Sequence, residues 1–175
     1  VPAAHYCCGG IKVNLNGESS IRRLYALGEA SSTGLHGGNR LASNSMMEAA
    51  VYADAAARHA ISVIDSIELQ RDIPAWDYEG TAVPEEMALI TQDYKEMQQI
   101  MTNYVGIVRS DVRLERAKRR LEIIFKETEE LYLKSTLSQH LCELRNMIAV
   151  GYLIIKQAEA RHESVGLHYS IDYPA

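Results

Sequence analysis

Three consecutive stretches in the second half of the chain place apolar residues three and four positions apart, the spacing that gives a helix one buried face. The first comprises Met87, Ile90, Tyr94, Met97, Met101 and Tyr104. The second comprises Leu114, Ala117, Leu121, Ile124, Thr128 and Leu131, and the third comprises Leu137, Leu141, Leu144, Ile148, Gly151, Ile155 and Ala158. Interruptions near Gly106 and Ser135 favour an antiparallel three-helix bundle over one sustained coiled coil, with Ser135 or Thr136 capping the third helix.

The segment before the bundle has a different pattern. Apolar and polar residues alternate over 11–15, and Asn16-Gly17 is the residue pair of a tight hairpin turn, so a return strand is expected through 19–21. A short buried strand is expected over 24–27, ending at Gly28. A long alanine-rich helix is predicted from Met46 to about Gln70. Its buried side is expected to comprise Met47, Val51, Ala55, Ala56, Val63, Ile64 and Ile67.

These patterns predict a mainly α chain in four parts. Residues 1–72 hold the strands, a glycine-rich loop and the long helix, and 73–83 form a linker of turn formers and aromatic residues. Residues 84–163 form the three-helix bundle, and 164–175 form an extended tail. We expect 1–45 to belong to a larger sheet whose other strands lie upstream, leaving edges that pair elsewhere or stay irregular.

Composition narrows the classes of function. Hydrophobic residues make up 47% of the 175 residues and charged residues 23%, which is ordinary for a globular protein. The net charge of −5 gives no support for nucleic-acid binding, which calls for a basic surface. No apolar run approaches the roughly 20 residues of a membrane span. We therefore expect neither nucleic acid nor a membrane as a partner.

The cysteines do not form a disulfide framework, because there are three and two of them are adjacent. His5, Cys7 and Cys8 are close in sequence, but no second pair of ligands follows at the spacing of a zinc site. We expect no metal, and free thiols fit a reducing cytoplasm.

The glycine-rich run GLHGGNRLASNS, residues 34–45, directly precedes the long helix. Glycines allow the backbone to approach a flat ligand, and amides at a helix N-terminus stabilise negative charge. Ser43, Asn44 and Ser45 are candidate caps, and Arg40 offers a planar fork suited to a carboxylate. The run therefore predicts an anion-binding pocket, with an ordinary glycine-rich loop as the alternative.

Three motifs in register carry a resemblance: PAAHYCCGGI at 2–11, LYALGEASST at 24–33 and the run at 34–45. Together they resemble the flavoprotein family of L-aspartate oxidase and the succinate dehydrogenase and fumarate reductase flavoprotein subunits. SSTGLHG at 31–37 and GLHYSIDYP at 166–174 are most similar to the L-aspartate oxidases. Val165 departs from the pattern, since the family usually has arginine there.

The resemblance implies an FAD enzyme that oxidises L-aspartate to iminoaspartate, with oxygen or fumarate as acceptor, in NAD biosynthesis. No Gly-x-Gly-x-x-Gly unit precedes the first helix, so the chain is expected to be a C-terminal piece. The missing FAD and capping domains would then be its partners, within a possible homo-oligomer. The family's principal catalytic arginine would lie in the capping domain. We expect no catalytic residue within this chain and no activity from it alone.

The resemblance also assigns site residues. His5, Arg40 and, ranked lower, His36 would bind the substrate. Glu29 would accept hydrogen bonds from flavin-chain hydroxyls. The start of the helix at Asn44, Ser45 and Met46 would face the flavin, where reduction builds negative charge that the helix dipole stabilises.

Two other interpretations stay open. The chain could belong to a succinate dehydrogenase or fumarate reductase flavoprotein subunit, or act as a helical interaction module without catalysis. The second bundle helix begins with a basic cluster and ends with acidic residues, opposite to the dipole preference. The cluster consists of Arg113, Arg116, Lys118, Arg119 and Arg120. A solvated face with internal ion pairs is favoured for it over a partner surface.

Overall fold

The computed structural model describes residues 5–83 and 87–174, except for the side chain of Met87. The start of the 2–11 motif, the start of the expected bundle at 84–86 and the expected contact of Met87 therefore lie outside the described residues. The chain divides into two compact units, Val1–Pro74 and Ala75–Ala175.

The described residues of the first unit contain one short pair of strands. β1 (Ile11–Lys12) pairs in parallel with β2 (Ser31–Ser32), with Ile11 opposite Ser31. The predicted hairpin is wrong in its pairing. The turn closes where Gly17 N donates to Asn14 O at 3.0 Å, and Oδ1 of Asn14 accepts from the amides of Asn16 and Glu18. These local bonds from the Asn14 side chain compete with a regular ladder.

The strand predicted over 24–27 is also wrong. Only Tyr25 forms a bridge, antiparallel to Glu18, and Ala26 is the one residue of the four that is buried. The chain then enters a short 3-10 helix, Gly28–Ala30. Gly28 has φ +63°, a conformation that glycine adopts without strain and that does not continue a strand.

Helix α1 spans Asn44–Ile64, so it begins before Met46 and ends well before Gln70. Its end is set at Ser66, whose amide and hydroxyl both donate to Val63 O, at 3.0 and 2.6 Å. Such bonds from a serine tighten the backbone and compete with the α-helical pattern.

The predicted buried side of α1 is largely wrong. Glu48 and Ala56 are its buried residues, whereas Met47, Val51 and Ile64 are exposed. Ala55, Val63 and Ile67 are half-buried. Within its own unit α1 packs against the Gly28–Ala30 turn and beside Gly17, so the covered face is the narrow alanine side. The wider apolar face is not covered by the described residues of this unit.

The second unit is an antiparallel three-helix bundle. Helices α2 (Met87–Tyr104), α3 (Asp111–Lys134) and α4 (Gln139–Glu159) all pack on one another. The buried residues of the three predicted stretches are Ile90, Met97, Leu114, Ala117, Leu121, Ile124, Thr128, Leu141, Leu144, Ile148, Gly151, Ile155 and Ala158. Tyr94, Met101, Tyr104 and Leu131 are partly buried against this core. Ile100 and Val105 join this core although the spacing did not include them. Leu137 is the exception, since it is 37% exposed in the connection before α4.

Two ion pairs reflect the antiparallel course of α3 and α4. Lys118, early in α3, lies 3.1 Å from Glu159 at the end of α4, and Arg145 of α4 pairs with Glu129 late in α3. At Gly151 a Cβ would lie 2.1 Å from Cε of Met97, so the glycine lets α2 approach α4 closely. The predicted cap of α4 is wrong. Ser138, and not Ser135 or Thr136, accepts the hydrogen bond from Leu141 N.

The tail packs on the bundle through a second short parallel pair. β3 (Val108–Arg109), between α2 and α3, pairs with β4 (Tyr169–Ser170). Ser170 is 2% exposed, so this part of the tail is anchored firmly. Among the described residues no helix has both the length and the apolar character to cross a membrane.

Candidate functional site

A buried glutamate on α1 holds the glycine-rich loop that connects β2 to this helix. The Glu48 side chain is only 1% exposed. One carboxylate oxygen accepts from the hydroxyl of Thr33, and the other lies 2.7 Å from Nε2 of His36. The two partners come from opposite ends of the turn over 33–36, so the carboxylate closes that turn onto the helix. Sequence analysis missed Glu48; its one signal was an acidic residue directly after two methionines.

Tyr6 lies between two predicted site residues. The His36 and Tyr6 rings meet edge to face, with an interplanar angle of 82° and centroids 5.3 Å apart. The guanidinium carbon of Arg40 lies 4.9 Å from the centroid of the Tyr6 ring, within cation–π range. Nη1 of Arg40 also donates to Oγ of Ser45 at 3.1 Å. Arg40, His36 and Ser45 are thus brought together around an aromatic ring that sequence analysis did not single out.

The environment keeps the Tyr6 phenol neutral. Burial raises its pKa, the carboxylates of Glu48 and Glu29 raise it further, and the Arg40 guanidinium lowers it by less than these effects raise it. A neutral ring with a π face is what a guanidinium stacks on. Tyr6 therefore supports Arg40 and does not neutralise its charge.

The start of α1 differs in detail from the predicted cap. Ser43 stands at the N-cap position with φ +70°, and its side chain makes no capping bond. Ser45 accepts from Arg40 instead, Asn44 N donates to Leu41 O at 3.2 Å, and the Met46 side chain is 80% exposed. The first turn of α1 carries no acidic residue, so nothing within it opposes an anion.

Glu29 and His5 lie on the other segments of the unit. The exposed Glu29 accepts a hydrogen bond at Oε1 from Cys7 N at 2.9 Å, which joins the 24–33 and 2–11 motifs. His5 is exposed, and no hydrogen bond joins it to another described residue. Gly10 lies against Ala30, where a Cβ would sit 2.3 Å from the carbonyl oxygen. Two of the motifs are thus held in contact by backbone.

A second buried polar cluster lies in the bundle unit. His168 is 6% exposed, and its Nδ1 lies 2.8 Å from Nη1 of Arg109, while its Nε2 lies 3.1 Å from Arg161 O. Burial lowers the pKa of His168, and the Arg109 charge lowers it further. These contacts fasten the tail to the bundle, and sequence analysis missed both residues in this role.

The basic cluster of α3 is largely engaged within the bundle unit. Lys118 pairs with Glu115 and Glu159, and Arg119 also reaches Glu115. Arg113 donates to Val108 O at 2.8 Å. No group of three or more His, Cys, Asp or Glu side chains that could hold a metal ion occurs within 5–83 and 87–174.

Two protein-family models match this chain, one near each end. Residues 1–46 match the family model described as FAD binding domain, and residues 94–175 match the one described as fumarate reductase flavoprotein C-term. Among curated relatives, L-aspartate oxidase of Vibrio cholerae is 44% identical over 99% of this chain, and that of Pseudomonas aeruginosa is 43% identical over 99%. Each match covers 32% of the relative, so the chain spans about a third of the length of these proteins.

Solved structures give the same fold at lower identity. E. coli quinol fumarate reductase matches with a TM-score of 0.76 and 26% identity, covering 97% of this chain and 31% of that one. Mycobacterium smegmatis Sdh1 matches with a TM-score of 0.75 and 27% identity, covering 97% and 30%.

Proposed function

The chain belongs to the flavoprotein family of L-aspartate oxidase and the fumarate reductase flavoproteins, and from that premise we propose that it is the C-terminal part of an L-aspartate oxidase. The whole enzyme would oxidise L-aspartate to iminoaspartate with FAD and pass the electrons to oxygen or fumarate. Its product would enter NAD biosynthesis. The observation that carries the proposal is the 43–44% identity to L-aspartate oxidases across nearly the whole chain.

In this proposal Arg40 binds a carboxylate of the substrate. Its guanidinium is fixed by the Tyr6 ring and by Ser45, so the fork is oriented before any ligand arrives. A preoriented, permanently charged fork binds a carboxylate in a bidentate manner at a low entropic cost. His5 and His36 are proposed as further substrate-binding groups. His36 contacts the same Tyr6 ring as Arg40, and His5 directly precedes Tyr6 in the sequence.

The residues of the first unit fit an FAD site. FAD, when bound, supplies the acceptor for the hydride that leaves the substrate. Glu29 holds Oε1 toward Cys7 N and is otherwise exposed, so its second oxygen is left for ligand hydroxyls. Asn44, Ser45 and Met46 open α1, whose dipole favours negative charge at that end. Gly10, at φ +144°, lets the chain before β1 lie against Ala30 and so holds the segments that carry Cys7 and Glu29 together.

The remaining partners follow from the same proposal. The FAD and capping domains would come from the same full-length protein, and a homo-oligomer stays possible. We propose a cytoplasmic location, with Cys7, Cys8 and Cys142 kept as free thiols.

The test is an assay of the full-length gene product with L-aspartate and with succinate. We expect a purified protein with visible flavin absorbance that is bleached by aspartate under anaerobic conditions. Turnover of succinate with none of aspartate would replace the proposal with the runner-up, a fumarate reductase or succinate dehydrogenase flavoprotein. The fold likeness to quinol fumarate reductase favours that runner-up, at lower identity.

A second measurement addresses the chain by itself. The 175-residue chain titrated with FAD is expected to show no tight binding and no aspartate turnover. Stoichiometric FAD binding would contradict the expectation that domains outside this chain are needed. A colourless full-length protein that ignores aspartate would leave a helical interaction module as the better interpretation.

A further inference from the structure

We infer that Glu48 is a positioning residue for substrate binding, acting through His36 and Tyr6 on Arg40. The inference rests on the proposed role of Arg40 as a carboxylate ligand. Glu48 itself is buried under the loop and is offered neither as a ligand nor as a catalytic residue.

The buried carboxylate of Glu48 needs hydrogen-bond donors. A buried carboxylate is costly unless donors satisfy it, and an apolar side chain of similar size would pack at this helix position at a lower cost. Glu48 has two donors, the hydroxyl of Thr33 and Nε2 of His36 at 2.7 Å. Both lie on the glycine-rich loop. The carboxylate therefore fixes loop side chains to α1, which packing alone would not do.

The hydrogen bonds from Thr33 and His36 to Glu48 have a fixed direction. An ionised carboxylate only accepts, so both Thr33 and His36 donate to it. The Thr33 hydroxyl oxygen in turn accepts from Leu35 N at 3.2 Å. Nε2 of His36 must then carry its hydrogen, and the plane of the imidazole is set. Nδ1 of His36 is buried and has no hydrogen-bond partner among the described residues.

The Tyr6 ring connects the His36 imidazole to the Arg40 guanidinium. The His36 and Tyr6 rings meet edge to face at 82°, and the centroid of the Tyr6 ring lies 4.9 Å from the Arg40 guanidinium carbon. Rotation of the imidazole would move or free the Tyr6 ring, and Arg40 would then keep only its bond to Ser45. Glu48 thus determines the orientation of the Arg40 guanidinium through two intervening side chains, His36 and Tyr6.

The experiment uses the full-length gene product. Glu48→Met removes both acceptors while keeping the length of the side chain, and Glu48→Gln keeps one acceptor. We expect Glu48→Met to raise KM for L-aspartate about tenfold or more with a smaller change in kcat, and Glu48→Gln to recover part of that loss. Asp54→Asn is the matched control, because Asp54 lies on the same helix in an exposed pair with Arg58. It should leave KM unchanged.

A double-mutant comparison identifies the route. In a His36→Phe background, Glu48→Met should raise KM little further, because the two changes interrupt one chain of contacts. A full additional tenfold rise would overturn the inference. So would a Glu48→Met enzyme with an unchanged KM and only a lowered Tm, since that is the result of a purely structural role. If Glu48→Met does not accumulate, the same comparisons are made with Glu48→Gln.

One readout does not depend on activity. In a crystal structure of the Glu48→Met protein, the Arg40 guanidinium should have left the Tyr6 ring; an unmoved guanidinium would refute the inference. Absence of aspartate turnover in the unmodified enzyme would instead count against the proposed function. The two failures are therefore distinguishable.

Discussion

Nη1 of Arg109 lies 2.8 Å from Nδ1 of His168, and this bond joins the connection between α2 and α3 to the tail. A guanidinium only donates, so Nδ1 of His168 must accept, and its Nε2 hydrogen points to Arg161 O at 3.1 Å. The buried histidine is therefore neutral. Protonation would place a second N–H in front of the Arg109 donors.

This pair predicts a pH dependence of stability. Burial first, and then the charge of Arg109, lowers the pKa of His168 below its ordinary value of 6.5; the hydrogen bond to Arg161 O opposes this, the Arg161 charge adds to it, and the Glu163 charge opposes it. A pKa lowered on folding means that the unfolded chain binds more protons, so stability is complete above about pH 6.5. It should fall as the pH drops from there toward the folded-state pKa. Thermal unfolding from pH 8 to 5 should show this loss, and His168→Asn should flatten it.

The serine that fastens the tail gives a second prediction. The Ser164 hydroxyl donates to Tyr173 O at 2.6 Å and accepts from Ser170 N at 3.0 Å. Ser164→Ala leaves both groups without that partner, at a cost of about 1–3 kcal/mol. Hydrogen exchange at the Ser170 amide should speed up accordingly. Exposed Ser20, changed to alanine, should have no effect on this amide, and equal rates in the Ser164 variant would contradict the assignment.

The helical unit could be predicted from sequence because its core is built from local periodicity. Each of the three stretches buries its own face against the other two, as Leu121, Leu144 and Ile155 do, so no outside element is needed to specify them. The cap of α4 was misplaced because Ser135, Thr136 and Ser138 offer similar hydroxyls. Only the geometry of the first turn of α4, where Leu141 N donates to its hydroxyl, selects Ser138.

The secondary structure and buried residues of the first unit could be predicted less well, because they depend on contacts between residues far apart in sequence. The exposed apolar residues of α1, such as Met47 and Val51, match a helical pattern without a covering partner in their unit. The motif at 34–45 pointed to Arg40 and His36, because a charged or ionisable side chain in a glycine-rich loop before a helix indicates ligand binding. Glu48 and Tyr6 act through spatial contacts, across 12 residues in the case of His36 and Glu48, which spacing does not reveal.

The bundle core gives a third prediction. Leu144 on α4 is fully buried, so Leu144→Ala should lower the free energy of unfolding of the helical unit by about 2–5 kcal/mol through lost transfer energy and a cavity. Leu153→Ala on the same helix is the control, because Leu153 is 55% exposed. Chemical denaturation should separate the two variants clearly. A similar loss in both would mean that the core is not where the structure has it.

Gly10 gives a fourth prediction, on the contact between β1 and the Gly28–Ala30 turn. A Cβ at Gly10 would lie 2.3 Å from Ala30 O, so Gly10→Ala must force backbone apart and should cost more than about 1 kcal/mol. Gly37→Ala is the matched control, since Gly37 also has positive φ, +54°, but a Cβ there meets no atom within 4 Å. In the full-length gene product, flavin content after gel filtration should fall in the Gly10 variant more than in the Gly37 variant.

Arg40→Lys is the prediction closest to the proposed chemistry. Lysine keeps the charge but loses the planar fork that stacks on Tyr6 and donates to Ser45 at the same time. We expect KM for L-aspartate in the full-length gene product to rise by about tenfold or more, with flavin absorbance unchanged, as measured by steady-state kinetics. Exposed Arg22→Lys should leave KM as it is. An Arg40→Lys enzyme with normal KM would mean that charge alone suffices, and the stacked, fixed guanidinium would then have no part in recognising the substrate.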